Sequence, residues 1–206
     1  MEGSLEQKAR EVVTQALADL KSIDVSQGWD IFSTDNDVQQ MRKPLENLFL
    51  VRGQTEVPLD FEIIRDFVHN IDHKHKYHTD FEEVRVVEAF SDELKIIHHK
   101  IKTPPGVANR ESVVVQGLFS DEEENVYLVE RSIEHPSVPV TAGYVRVDLY
   151  ICGFVIRPTG PRSATLSYIF HLDPKGSLPT FFVNLIQKDK ASIPFTVREL
   201  LKSGER

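Results

Sequence analysis

The chain has 206 residues, of which 40% are hydrophobic and 27% are charged, and its formal net charge is −8. This composition is ordinary for a globular protein in water, and the acidic balance disfavours nucleic acid and anionic membranes as constant partners. The length predicts a single domain over residues 1–206, since no linker rich in proline and glycine divides it.

Cys152 is the only cysteine, which excludes a disulfide framework and favours a reducing compartment. The N-terminal segment is charged and amphipathic, without the apolar stretch of a signal peptide. No window approaches the roughly 18 to 20 apolar residues that a membrane-spanning helix requires. We therefore expect a cytoplasmic protein.

Three helical segments are predicted from the spacing of apolar residues. The first covers residues 4–21 and begins with a possible capping box of Ser4 and Gln7. The second opens at Pro58, and a polar connection over 72–80 follows it. The third covers 177–202, where Pro194 either kinks the helix or starts a new one. In its first half, the positions at i, i+3, i+4, i+7 and i+8 are Leu178, Phe181, Phe182, Leu185 and Ile186.

Between these helices, alternating apolar and polar residues predict nine strands. They cover 29–33, 38–43, 48–57, 84–90, 94–101, 111–119, 126–133, 144–156 and 165–172. Most successive strands are joined by short turns, which indicates an antiparallel sheet of about nine strands with the helices packed on one side. The predicted fold class is α+β.

The strand over 144–156 has one wholly apolar face and one mixed face. The mixed face consists of Tyr144, Arg146, Asp148, Tyr150, Cys152, Phe154 and Ile156. Such a face is solvent-exposed in a one-sided sheet, but it lines a cavity when the sheet curls. Periodicity alone leaves both alternatives open.

Four segments carry a resemblance to a known family. In chain order they are HKYHTDFEEVRVVEAF (75–90), PPGVANRESVVVQG (104–117), HPSVPVTAGYVRV (135–147) and HLDPKGSLP (171–179). Their order and spacing resemble those of START lipid-transfer domains over essentially the whole chain. The resemblance implies a helix-grip fold, in which a curved sheet of about nine antiparallel strands surrounds a hydrophobic tunnel. A long C-terminal helix and the loop over 103–109 would close this tunnel.

The resemblance also implies which residues bind the ligand. Tyr150 matches one aromatic residue of the cage that holds choline headgroups, whereas His99 and Ser112 stand in the places of two others. Gln116 stands where sterol-transferring members keep a buried arginine. These departures favour neither of the two best-known ligands. The candidate polar anchors are His99, Ser112, Gln116, Arg146, Asp148 and Tyr150, and the candidate lid residues are Phe181, Phe182, Leu185 and Ile186.

Several of these side chains also have a structural interpretation. Arg146 and Asp148 lie two apart on one strand face and are expected to pair with each other. Arg110 is expected to be an ion-pair partner within the scaffold. Of His98 and His99, only one can face the cavity.

The histidines of the polar connection raise the question of a metal site. They are His69, His73, His75 and His78. Lysines interleave them, and no acidic or cysteine partner has a convincing ligand spacing. We expect these histidines to be solvated surface residues, and we expect neither a metal nor another cofactor.

The favoured function is non-enzymatic lipid binding and transfer, with one hydrophobic ligand, transient membrane contact and no nucleic acid partner. A ligand-gated interaction module needs the same cavity and remains an alternative. An enzyme of a related helix-grip fold is a further alternative, in which His99 with Asp148 or Tyr150 would supply the acid and base.

Overall fold

Ten β-strands form one sheet in the computed structural model, which describes residues 4–45, 48–176, 178, 186 and 189–205. The strands are β1 (Asp30–Asp35), β2 (Val38–Leu45), β3 (Leu48–Val57), β4 (Phe81–Ala89), β5 (Leu94–Ile101), β6 (Asn109–Ser120), β7 (Val126–Ser132), β8 (Tyr144–Arg146), β9 (Asp148–Gly160) and β10 (Ser163–Asp173). Their order is β1-β2-β3-β10-β9-β7-β6-β5-β4, and the short β8 pairs in parallel with β6. The other pairings are antiparallel, which confirms the predicted α+β helix-grip architecture.

The helices that the structure describes are α1 (Leu5–Asp24), α2 (Phe61–His69), α3 (Lys74–Tyr77) and α4 (Ile193–Lys202), with a 3₁₀ turn over Ile71–His73. Ser4 caps α1, because its side-chain oxygen accepts a hydrogen bond from the Gln7 amide at 3.2 Å. The Gln7 side chain bonds Glu11 instead of returning to Ser4, so the capping box is only half formed. None of these helices is both long and apolar enough to cross a membrane.

Pro194 lies in the first turn of α4. Of the two predicted alternatives, a kink or a new helix, the structure therefore shows a new helix. Ile186 and residues 189–191 are also helical and precede α4. Val197 and Leu201 of α4 are buried, so this helix also presents an apolar face to the core. The predicted lid residues Phe181, Phe182 and Leu185 lie outside the described residues.

The helices pack on both faces of the sheet, so the prediction that they share one side is wrong. On what we call the outer face, α1 packs against β9 through Ile151 and Val155. On the inner face, α2 and α4 share a core with Phe154 and Ile156 of the same strand. Central strands are therefore apolar on both sides, which hides the simple alternation of a one-sided sheet.

A β-bulge at Tyr150 divides the mixed face that was predicted for residues 144–156. Ile151 pairs with His171, whereas Leu149 pairs with the next residue, Leu172, so Tyr150 is an extra residue in the ladder. Leu149 and Cys152 consequently both join the inner core, while Tyr150 is 39% exposed. The prediction that Tyr150 and Cys152 share a face is therefore wrong.

Candidate functional site

A cavity of about 340 Å³ opens where the loop over 103–109, the turn before β4 and the C-terminal segment meet. We call it the mouth cavity. Its apolar lining includes Ile101, Phe170, Leu172, Leu178 and Ile186. Ile186, which is one of the four predicted lid residues, therefore lines this cavity. A larger but open depression of about 790 Å³ lies on the outer face beside α1, and its lining is more polar.

Arg110 ties two sides of the mouth cavity together. Its guanidinium donates to the carbonyl oxygens of Pro174 at 3.2 Å and Lys175 at 3.1 Å, and also to that of Ala108. The prediction of a scaffold role fits this arrangement, but the partners are backbone carbonyls and not the expected carboxylate. Arg110 therefore joins the loop over 103–109 to the segment that leads into the C-terminal helices.

Lys190 forms a second link across the mouth cavity. It is 5% exposed, and its ammonium donates to both carboxylate oxygens of Asp80 at 3.0 and 3.1 Å. The Nδ1 atom of His78 lies 3.3 Å from the same ammonium. Burial and the neighbouring Lys190 hold the pKa of His78 well below its ordinary value, so this imidazole is neutral at pH 7. We call Lys190, Asp80 and His78 the latch.

Deeper inside, Lys74 of α3 and Glu130 of β7 form a buried ion pair. Gln116 donates from Nε2 to the Glu130 carboxylate at 2.7 Å. Burial favours a higher pKa for Glu130, but Lys74 and these hydrogen bonds outweigh it and lower the pKa. Glu130 is therefore ionised, and its charge is matched by that of Lys74.

His99 and Ser112 stand beside this ion pair on neighbouring strands. Nδ1 of His99 lies 3.1 Å from Oγ of Ser112, in register between β5 and β6. Phe81 stacks between His78 and His99, with ring centroids 4.5 and 4.8 Å apart. Burial, followed by the charge of Lys74, lowers the pKa of His99 to about 3. Of the predicted anchors, His99 and Ser112 therefore meet as neutral side chains, and Gln116 lies four residues further along β6 on the same inner face. Together with Lys74 and Glu130, we call these residues the inner cluster.

The inner face is nearly closed around Cys152. Its thiol donates to the Tyr168 hydroxyl at 3.0 Å, beside a void of only about 10 Å³. Burial, with Glu130 nearby, raises the pKa of Cys152 to about 12, so the sulfur remains a thiol at neutral pH.

Arg146, Asp148 and Tyr150 lie apart from the inner cluster. Arg146 binds Glu111 at 2.9 Å and borders the outer depression, whereas Asp148 pairs with Lys175 at 3.7 Å. The predicted ion pair between Arg146 and Asp148 is therefore wrong. Tyr150 packs on the ring of His171, with centroids 4.9 Å apart. The break at residue 147 and the bulge at Tyr150 turn these side chains away from the inner cluster.

Two of the four histidines in the connection before β4 are buried rather than solvated, contrary to the prediction. Nδ1 of His73 donates to the Phe67 carbonyl oxygen at 3.1 Å, and His78 belongs to the latch. His98 binds Glu111 on the outer face at 3.0 Å while His99 faces inward, so only one of the two faces the interior, as predicted. Among the described residues, no group of three or more side chains could hold a metal ion.

The charged residues of the interior escaped sequence reasoning. Lys74 and Lys190 looked like ordinary members of polar segments. Glu130 carried a usable signal, because it follows Val126 and Leu128 on one alternating face of a buried strand. A carboxylate in that position requires a buried partner.

Comparisons with known proteins agree with this architecture. Residues 8–203 match the sequence model of the START domain family. In structure, human StAR-related lipid transfer protein 5 superposes with a TM-score of 0.88 at 19% identity, covering 98% of this chain and all of the other. Human STARD10 superposes with a TM-score of 0.78 at 20% identity, covering 90% of this chain and 78% of the other.

Curated relatives match the chain over part of their own length. START domain-containing protein 10 of Mus musculus is 25% identical over 123 residues, which is 60% of this chain and 42% of the relative. The chain thus spans about two fifths of that relative. The mitochondrial steroidogenic acute regulatory protein of Danio rerio is 23% identical over 195 residues, covering 89% of this chain and 68% of the relative.

Proposed function

Because this chain belongs to the START domain family, we propose that it forms one lipid-binding domain that carries a single lipid between membranes without altering it. The observation that carries the proposal is the mouth cavity, an apolar opening between the loop over 103–109 and the C-terminal segment. The lipid-transfer names of the structural relatives support the same function.

The latch lies between the mouth cavity and the inner cluster. Lys190 and Asp80 line the mouth cavity, whereas His78 lines the small void beside Glu130. The mouth cavity is at the small end of the range of roughly 300–1,000 Å³ that ligand pockets span. A lipid therefore has to displace the latch to reach the interior. Burial of its apolar surface, worth about 25 cal/mol per Å², supplies the free energy for this displacement.

The arrangement of the inner cluster favours a carrier over an enzyme. The combination of His99 with Asp148 or Tyr150 is not assembled, since Asp148 pairs with Lys175 and Tyr150 is partly exposed. His99 and Ser112 are within hydrogen-bond reach, but a histidine with a pKa of about 3 is a weak base at neutral pH. The proposed ligand site is therefore the inner set of His99, Ser112 and Gln116, with Ile186 at the mouth.

The proposal includes transient contact with the donor and acceptor membranes, a cytoplasmic location, and no cofactor or nucleic acid partner. The lone cysteine fits that location, because a reducing compartment imposes no pairing on the buried Cys152 thiol. The latch and the loop over 103–109 are the parts that have to move, as the lids of closed sites do.

Transfer of a fluorescent lipid between vesicles tests both the function and its gate. The variant Pro104→Cys with Ile186→Cys places two thiols on the lining of the mouth cavity. We expect the bridged form to transfer lipid at least tenfold more slowly than its reduced form, and mass spectrometry to recover the lipid unchanged. Each single cysteine variant is the control. Equal rates in the bridged and reduced forms would place the exit elsewhere, and a chemically altered lipid would replace the carrier with an enzyme.

A further inference from the structure

Two polar atoms of the inner cluster lack a hydrogen-bond partner among the described residues: Nε2 of His99 and Oε1 of Gln116. Both side chains are at most 2% exposed. They flank Ile97 and Val114 on the inner face of β5 and β6, where those two residues are paired. A buried polar atom without a partner costs about 1–3 kcal/mol, so each one calls for an explanation.

The hydrogen-bonding character of Gln116 is fixed by Glu130. An ionised carboxylate only accepts hydrogen bonds, so the amide of Gln116 turns its NH₂ group to Glu130. The oxygen left over is an acceptor that requires a donor. Nε2 of His99 is more adaptable, because the Ser112 hydroxyl can either donate to Nδ1 or accept from it. A hydroxyl group can satisfy either of the two unpartnered atoms, since it both donates and accepts.

The charges of the interior are already matched. Lys74 is paired with Glu130, and Lys190 is paired with Asp80. The low pKa values of His78 and His99 leave both imidazoles uncharged at pH 7. A phosphate or an ammonium group placed in this cluster would be buried without a free counter-charge, which is costly.

We propose that the ligand is an uncharged lipid whose buried end carries a hydroxyl group that donates a hydrogen bond to Oε1 of Gln116. The inference rests on the proposed function and specifies the ligand of the same site. Sterols and diacylglycerols both present this chemistry. An ester or ether group at the same place would leave the Gln116 oxygen unsatisfied, so the site discriminates against lipids without a donor.

The test measures binding of matched lipids to the lipid-free full chain. The probes are cholesterol and its 3-O-methyl ether, dioleoylglycerol and its O-methyl ether, and dioleoylphosphatidylcholine. We expect at least one alcohol to bind about tenfold more tightly than its ether, a difference of ~1.4 kcal/mol, and to bind more tightly than the phospholipid. The two alcohols distinguish the sterol source from the glyceride source.

Gln116→Met removes the acceptor at similar volume, and we expect it to reduce the preference for the alcohol to within about twofold. The same change at Gln39, which is exposed on β2, is the matched control. An alcohol and ether bound equally by the unmodified chain would overturn the inference, whether or not the Gln116 variant folds. Tighter binding of the phospholipid would also overturn it but leave lipid transfer standing. Binding of none of the probes, together with no vesicle transfer, would remove the proposed function itself.

Discussion

Glu111 lies on the outer face of β6, where several hydrogen-bond donors meet its carboxylate. It is fully buried and accepts hydrogen bonds from His98 at 3.0 Å, Arg146 at 2.9 Å and the Thr141 amide at 2.9 Å. Burial favours a raised pKa for Glu111, but the donors of Thr141, Arg146 and His98 outweigh it and lower the pKa to about 2. Glu111 thereby fixes the segment between β7 and β9 onto β6.

We predict that Glu111→Gln lowers the free energy of unfolding at pH 7 by about 2–3 kcal/mol, because it removes a buried charge from donors that remain. A lowered pKa in the folded state stabilises the protein above the ordinary pKa of about 4.5, and this contribution is lost as the pH falls toward 2. Urea unfolding from pH 7 to pH 3 should therefore show the difference between variant and parent shrinking below about pH 4.5.

The control for this prediction is Glu122→Gln at the exposed tip between β6 and β7, which should leave stability unchanged at every pH. If the free energy of unfolding of Glu111→Gln stays below that of the parent by the same amount down to pH 3, the shape of the side chain matters and its ionisation does not.

At the same scale, sequence reasoning named part of the candidate site and missed the rest. His99, Ser112 and Gln116 were found because the resemblance aligned their strands. Lys74 and Lys190 could not be found, because their burial depends on a helix and a C-terminal segment that fold back over the sheet. Tertiary contacts of this kind leave no local pattern in the sequence.

Among the elements, Gly53 of β3 permits the closest approach of the C-terminal segment. A Cβ atom at this position would overlap the carbonyl oxygen of Ala191 and lie 3.0 Å from Cδ of Pro194. Both neighbours belong to the backbone or to a rigid ring, so neither can yield easily. The absence of a side chain at residue 53 is what allows the start of α4 to rest on the strand.

We predict that Gly53→Ala pushes the segment around Ala191 away from β3, lowers the free energy of unfolding by about 1–3 kcal/mol and speeds lipid exchange between vesicles. Gly160→Ala is the matched control, because its new methyl group would meet the flexible side chain of Ser163. Unchanged stability and exchange in Gly53→Ala would show that the segment adjusts without strain.

The elements themselves were predictable to different degrees. The bounds of β3 and β5 match the predicted ranges, since turn residues flank clear runs of strand-forming residues. The strand predicted over 144–156 is instead divided at residue 147 and bulged at Tyr150. A bulge depends on the register against a partner strand, which alternation within one strand does not contain. The prediction of one-sided packing rested on the hairpin connections, and it overlooked that Ile151 and Val155 on one face of β9 and Phe154 and Ile156 on the other are all apolar.

For the whole molecule, the strand order places β7 and β9 at the centre, with a helix over each face. The edge strands β1 and β4 each have one neighbour. We predict that native-state hydrogen exchange is slowest for the amides of β7 and β9 and much faster for those of β1 and β4. Equal protection across the sheet would mean that the fold opens only as one unit.

The three carbonyl oxygens around Arg110 have a mechanical consequence. A guanidinium stays protonated at any physiological pH, so this joint between the two sides of the mouth cavity does not loosen on acidification. We expect the loop over 103–109 and the residues around Pro174 to swing as a single rigid flap, with the hinge beyond the arginine. The weaker contact is then that of the turn before β4 with the C-terminal segment, where Asp80 meets Lys190. We expect a lipid to pass through that contact.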